Sequence, residues 1–372
     1  MTLLTVNSGS TSVKLALFDI DAGGSPVCVR DEHHSGAALD PPALLRAIGT
    51  LLGSAPQAIA HRIVHGGTRF VRPTRIDRDV IAAIEQLAPL APLHNPPALR
   101  WVAATRALWG EQLPQVAVFD TAFFAALPRR AAEYALPADL GTERGVRRYG
   151  FHGLAHEAMW RRWCELNPDL PQGGRLITLQ LGGGCSASAI DRGRPADTSM
   201  GFSPLEGLVM ASRCGDVDAA IVPYLEQQLN VSGAEVVELL NKRSGLAGLA
   251  GGGAASDVSP ETLLEEGSPQ SLFAVELYCY RIRKYLGAYM AALEGCDGIV
   301  FGGGVGEHVP GVRARALTGL SWAGVALDQP LNEAARGGEA RISAADAAVR
   351  VQVIVVDEEA VLAQAAAAII RP

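Results

Sequence analysis

Apolar residues fall along the chain either in short unbroken blocks or at spacings of three and four, and the two patterns predict different elements. Residues 3–6 form a block ending in the turn-forming cluster Asn7-Ser-Gly-Ser-Thr-Ser12, and residues 13–20, VKLALFDI, form the next. Strand, small-residue loop and strand predict a hairpin whose loop presents bare N–H groups and hydroxyls. Residues 176–191, LITLQLGGGCSASAID, repeat the arrangement loosely, with Gly182 near the place of Gly9 and Ile190-Asp191 near that of Phe18-Asp19. Two readings stay open: ordinary hairpins, or an internal duplication in which two related domains offer Gly/Ser loops to one shared cleft.

Residues 79–88, 97–108, 215–229 and 271–294 carry helical spacing, and 358–370 reads as an Ala-rich terminal helix. VAVFD (116–120), GIVFGG (298–303) and VQVIVVD (351–357) read as strands, and the Gly/Ala-rich stretch 245–256 as a loop. Alternation of this kind predicts an α/β architecture. No low-complexity linker interrupts it, so the two halves are expected to pack closely around a cleft.

Composition narrows the class. A chain of 372 residues, 48% hydrophobic and 19% charged, suggests two domains and excludes a disordered polypeptide. The formal net charge of −7, with no Lys/Arg cluster, argues against a nucleic-acid partner. Cysteines at 28, 164, 185, 214, 279 and 296 form no CxxC pair and lie at no metal-ligand spacing from His, so zinc is not expected and a reducing compartment is. The first residues, MTLLTVNSGS, lack a basic segment and a long apolar run, and no stretch approaches twenty uncharged apolar residues. These features predict a cytoplasmic protein with no membrane partner.

Candidate chemistry gathers where strands end. Asp120 follows VAVF, Glu358 follows VIVVD, and the glycines at 182–184 and 302–306 each follow an apolar block. Ligands of open α/β sheets collect at such ends, although each position alone is also an ordinary strand stop. Arg62 (HRIVHGG) and Arg213 (SRCGDVD) stand beside glycine, suited either to an internal salt bridge or to an anion. Phosphoryl transfer requires such groups, because charge on the equatorial oxygens has to be neutralised. His152, in YGFHG, sits between an aromatic and a glycine, where a lone histidine is more often a packed core residue. FGGGVGEH (301–308) lets backbone approach a nucleotide, by a glycine pattern that is common after strands.

Taken together, NSGSTSVK, HRIVHGG, PLAPLHNPP, VFDTAF, RRYGFHG, DTSMGFSPLEGL, SRCGDVD, GVGEH and DEE, in this order, resemble the acetate kinase family over nearly the whole chain. The resemblance implies the fold of the sugar kinase, Hsp70 and actin superfamily: two duplicated, ribonuclease H-like α/β domains with the nucleotide in the cleft between them. The expected division is 1–121 plus 360–372 for the first domain and 122–359 for the second. It further implies a homodimer, Mg²⁺ or Mn²⁺, and ATP/ADP as co-substrate for acetate and acetyl phosphate, with direct in-line displacement. Carried over residue by residue, Arg62, Asp120, His152 and Arg213 are the catalytic set, and Asn7 and Glu358 hold the metal. Val64, Leu93, Phe151 and Pro204 make the acyl pocket beside Arg62. Ser10, Ser12 and Lys14, Gly182, Gly183 and Gly184, Asp257, and Gly303, Gly304, Gly306 and Glu307 lie on the nucleotide side.

Departures from the family pattern fall on the donor side: Gln180 and Gly183 in place of His and Asn, Ser259 in place of Arg, and His308 and Asp357 in place of Asn. They raise three alternatives to an ATP-dependent acetate kinase: a propionate or other short-chain acyl kinase, a member using another donor such as pyrophosphate, and a nucleotide-binding module without catalysis.

Overall fold

The computed structural model describes residues 1–9, 12–21, 23, 26–36, 40–52, 55–252 and 258–370. By its internal contacts the chain divides into two units: residues 1–125, 151–158 and 357–372, and residues 126–150 and 159–356.

The first unit is built on a sheet of β1 (Thr2–Ser8), β2 (Ser12–Ile20), β3 (Pro26–Ser35), β4 (Ala58–Ile63), β5 (Thr74–Arg75) and β6 (Gln115–Phe119). Its order is β3-β2-β1-β4-β6-β5. β1 runs antiparallel to β2 and parallel to β4, and β4 parallel to β6. Leu4, Val6, Val13, Leu15 and Ile59 share a core with Leu45, Ile48 and Trp101, from the helices Pro41–Leu52 and Asn95–Trp109. Side chains alternate across a strand, so Leu3, Thr5 and Asn7 face the other way. That face carries the terminal helix Glu358–Ile370, which packs on β1, β4 and β6. The Asp357 carboxylate accepts from the Ala360 N–H at 2.8 Å and so caps this helix, as an Asn there also would.

The second unit repeats the plan. β7 (Arg175–Leu181), β8 (Cys185–Asp191), β9 (Arg194–Thr198), β10 (Gly298–Gly302), β11 (Ala340–Arg341) and β12 (Arg350–Val353) order as β9-β8-β7-β10-β12-β11. Every pairing has the same sense as its counterpart in the first sheet: antiparallel at β7/β8, β8/β9 and β11/β12, parallel at β7/β10 and β10/β12. The two Gly/Ser hairpins are therefore equivalent elements of a duplicated unit, and the alternative of unrelated hairpins falls away. The long helix Pro269–Ala292 covers β7, β8 and β9.

Local expectations hold in part. The helices read at 79–88, 97–108 and 271–294 are Arg78–Gln86, Asn95–Trp109 and Pro269–Ala292. The helix expected over 215–229 begins only at Ile221, because the Asp216 N–H is drawn back to the Gly207 carbonyl and the Asp218 carboxylate accepts from the Ala220 N–H. Within the stretch read as a loop, Gly245–Leu249 is a helical turn. The strand expected over 351–357 ends at Val353. Edge strand β3 escaped the pattern because its residues, VCVRDEHHS after Pro26, alternate no apolar face and are largely exposed.

Candidate active site

In the first unit, strand alternation points Arg62 of β4 to the face that carries the terminal helix. β4 and β6 pair in parallel with Arg62 opposite Val118, so Asp120, two residues on, lies just past the strand end on the same face. The result is a bidentate ion pair, Nε to Oδ1 at 2.9 Å and Nη2 to Oδ2 at 2.6 Å. Arg62 Nη1 donates to Asn7 Oδ1 at 3.0 Å and stands 3.7 Å from Glu358 Oε2. Asn7 Nδ2 in turn donates to Glu358 Oε2 at 2.7 Å and Glu359 Oε1 at 2.9 Å. Burial opposes the charge on Arg62, but Asp120 and Glu358 outweigh it and raise the guanidinium's hold on its proton. Burial likewise raises the Asp120 carboxyl, against the pull of Arg62. Lys14, half exposed, reaches Glu359 at 3.8 Å, and the Ser12 carbonyl accepts from the Gly9 N–H at 2.8 Å.

His152 sits beside this cluster. Its backbone N–H bonds the Asp120 carboxylate, and its φ of 56° is left-handed, a conformation that non-glycine residues hold at an energetic cost. The following Gly153 lies so close to the Asp120 backbone carbonyl that a Cβ would overlap it. One helical turn on, His156 is fully buried, and desolvation lowers its pKa to about 3.

Of the expected acyl pocket, Val64 and Phe151 are buried and Leu93 is 56% exposed. The loops carrying the first two meet at His65, whose ring lies edge-on to Phe151 at 5.6 Å. Asn95 fastens this loop to the one bearing Leu93: its Oδ1 accepts from the His65 N–H at 3.1 Å and its Nδ2 donates to the His65 carbonyl at 3.0 Å.

In the second unit, Arg213 is largely buried. Its guanidinium donates to the Pro204 carbonyl at 2.7 Å, and no carboxylate pairs with it among the described residues. Desolvation lowers its pKa. The hairpin glycines bind this segment by backbone: the Gly183 carbonyl accepts from the Ala211 N–H at 3.1 Å, and the Gly184 carbonyl from the Gly182 N–H at 3.0 Å. A side chain at Gly183 or Gly304 would meet nothing within 4 Å. Glu307 Oε1 accepts from the Gly303 N–H at 2.9 Å and the Val356 N–H at 3.2 Å, joining the ends of β10 and β12. Gly306 is buried in the same turn. Ser10 and Asp257 lie outside the described residues.

The donor-side departures have visible consequences. Among the described residues, Gln180 Oε1 is buried with no hydrogen-bond partner near the end of β7, as Ser8 Oγ is at the end of β1. Ser259 is committed to capping the helix Pro260–Glu266 through a reciprocal pair with Thr262. His308 fills the space against Gly337.

Ser8, Glu359, His65 and Asn95 were not singled out from the sequence. Each nevertheless lies inside a family motif: Ser8 in NSGSTSVK, His65 in HRIVHGG, Asn95 in PLAPLHNPP and Glu359 in DEE. A hard divalent ion fits this chemistry modestly. Mg²⁺ is commonly held through one or two carboxylates together with substrate phosphates. Glu358 offers a carboxylate, whereas the Asn7 oxygen already accepts from Arg62. Among the described residues no cluster of three or more His, Cys, Asp or Glu side chains is arranged to hold an ion.

Two topologically matched mixed sheets flanked by helices define the two-domain α/β fold of the actin and sugar-kinase class. Solved structures share it over the whole chain. An acetate kinase from Porphyromonas gingivalis matches with a TM-score of 0.87 at 35% identity, covering 100% of both chains. A propionate kinase from Francisella tularensis matches at 0.86 and 31%, covering 98% of both. An acetate kinase from Streptomyces avermitilis is 41% identical over 97% of this chain and 96% of its own. The family model described as the acetokinase family matches residues 47–364, and the chain belongs to that family.

Proposed function

We propose that the protein is an acetate kinase, transferring the γ-phosphoryl of ATP reversibly to acetate to give acetyl phosphate and ADP. The observation that carries this reading is Arg213: a largely buried guanidinium with one carbonyl partner and, among the described residues, no carboxylate. A buried charge without a counter-ion is unfavourable, and an anionic ligand would supply one. Family membership and the Arg62–Asp120 pair support the same chemistry.

Acetate is ionised at neutral pH, so it attacks the phosphorus without a general base, and catalysis is positioning plus electrostatics. Arg62, held by Asp120 and Asn7, orients the carboxylate. His152 and Arg213 donate to the phosphoryl oxygens as charge develops. Val64, Leu93, Phe151 and Pro204 enclose the methyl group. Ser10, Ser12, Lys14, the glycines at 182–184, Asp257 and the 303–307 turn receive the nucleotide. Mg²⁺ or Mn²⁺, when bound through Glu358 and the phosphates, supplies charge neutralisation between donor phosphates. The reading includes a homodimer in the cytoplasm.

A second donor is favoured by one observation, the orphaned Gln180 amide oxygen in the hairpin where Gly183 leaves open space. Propionate is a competing acceptor, supported by the similarity to a propionate kinase. A methylene in such a pocket is worth about 1–3 kcal/mol. Trapping acyl phosphate as the hydroxamate, with acetate and propionate against ATP, GTP and pyrophosphate, tests all of this. Product with acetate and ATP that disappears in Arg213→Ala supports the proposal. No acyl phosphate with any pair refutes it.

A further inference from the structure

The segment from Ser199 to Asp216 carries both Pro204 and Arg213, yet it contains no strand or helix of its own. Its shape is set by part-buried polar groups, some within the segment and some elsewhere in the second unit. The Glu206 carboxylate accepts from the Tyr134 hydroxyl through Oε2 and from Arg148 Nη1 through Oε1. Tyr134 also accepts from the Phe202 N–H at 2.8 Å, and Arg148 Nη2 donates to the carbonyls of Thr198 and Ser199. Gly201 passes so close that a Cβ would overlap Glu206 Oε2 and the Tyr134 oxygen, so the loop is wound around this carboxylate. At its far end, Asp216 Oδ1 accepts from the Gly207 N–H at 2.9 Å and Oδ2 from the Tyr285 hydroxyl at 2.8 Å.

Two residues before Glu206 stands Pro204, whose carbonyl is the hydrogen-bond partner of the Arg213 guanidinium. A path thus runs from Tyr134 and Arg148 by hydrogen bonds to Glu206, along two residues of backbone to the Pro204 carbonyl, and from there to Arg213. We infer that Glu206, clamped by Tyr134 and Arg148, is a positioning residue that fixes where the Arg213 guanidinium points. Among the described residues no carboxylate orients this guanidinium, so the Pro204 carbonyl does so, and Glu206 anchors the backbone two residues from that carbonyl. Burial, then Glu206 itself, raise the Tyr134 hydroxyl's pKa, so the phenol stays protonated as a donor across the working pH range.

This inference rests on the acetate kinase reading and makes a distinct demand. A shift of about 1 Å in a catalytic group can lower turnover by about a hundredfold. Glu206→Gln, which removes the charge but keeps the size, should lower kcat about tenfold to a hundredfold with ATP KM within about twofold. Tyr134→Phe removes one of the two clamps and should give a smaller drop in the same sense. The deciding measurement is the cycle with Arg213→Ala. If Glu206 acts through Arg213, adding Glu206→Gln to that variant should change kcat by less than about twofold. A drop that persists in full in the Arg213→Ala background overturns the inference, as does wild-type kcat in both Glu206→Gln and Tyr134→Phe. Should Glu206→Gln not fold, the same cycle is run with Tyr134→Phe, with the same two outcomes. A wild-type enzyme that makes no acyl phosphate refutes the functional reading instead.

Discussion

The two sheets share strand order and pairing sense, but the charges at their ends are handled in opposite ways. In the first unit Arg62 is enclosed by Asp120, Asn7 and Glu358, a network complete within the protein. In the second, Arg213 has one backbone oxygen. Duplication supplied the frame, and the two halves then diverged in electrostatics. One became a self-neutralised scaffold, the other a cation awaiting an anion.

Removing each arginine's surroundings separates these two designs. Arg213→Ala should lower turnover by about a thousandfold or more while leaving the unfolding midpoint unchanged or slightly raised, read by steady-state kinetics and a urea titration. A large loss of stability would show that Arg213 is structural. Asp120→Ala should instead strike stability, by about 3–5 kcal/mol, because it strands the buried Arg62 charge. A urea midpoint equal to wild type would contradict the self-neutralised scaffold.

Acid should weaken the first unit next. Burial lowers the His61 pKa to about 4 and the His65 pKa to about 4. The unfolded chain takes up these protons near pH 6.5 and the folded chain only near 4, so stability falls as pH drops through that window. At pH 5 the loss is on the order of 2 kcal/mol per imidazole. His61→Gln should flatten the dependence of urea stability on pH between 7 and 5, and an unchanged slope would remove His61 from the account. The smallest effect concerns the bare cation. Inorganic phosphate at about ten times its dissociation constant should stabilise wild type by about 1.4 kcal/mol and Arg213→Ala not at all, measured by thermal melting. Equal shifts in both would place the anion elsewhere.

Much of the frame was readable in advance, because apolar blocks separated by small residues announce the hairpins, and the family motifs run in order. The edges were not. β3 hides behind exposed, charged residues, and the start of the helix Ile221–Leu229 is displaced by the Asp216 N–H and the Asp218 carboxylate. At the site, Arg62 and Asp120 stand 58 positions apart, so their pairing follows from sheet register rather than spacing. Asn95 and Tyr134 act by bonding distant backbone and Glu206 by bonding distant side chains, and no local pattern names such partners.

The hydrogen bond between Asn7 and Glu358 joins residues 351 positions apart. During synthesis on the ribosome, β1 leaves the exit tunnel well ahead of the helix that covers it, whose first residue lies 351 positions beyond Asn7. At roughly 5–20 residues per second, that wait is on the order of tens of seconds. The second unit has all its strands translated before this helix exists, so the nascent protein would finish its later half first. Through that interval, one face of the earlier sheet would lack the helix that packs on β1, β4 and β6.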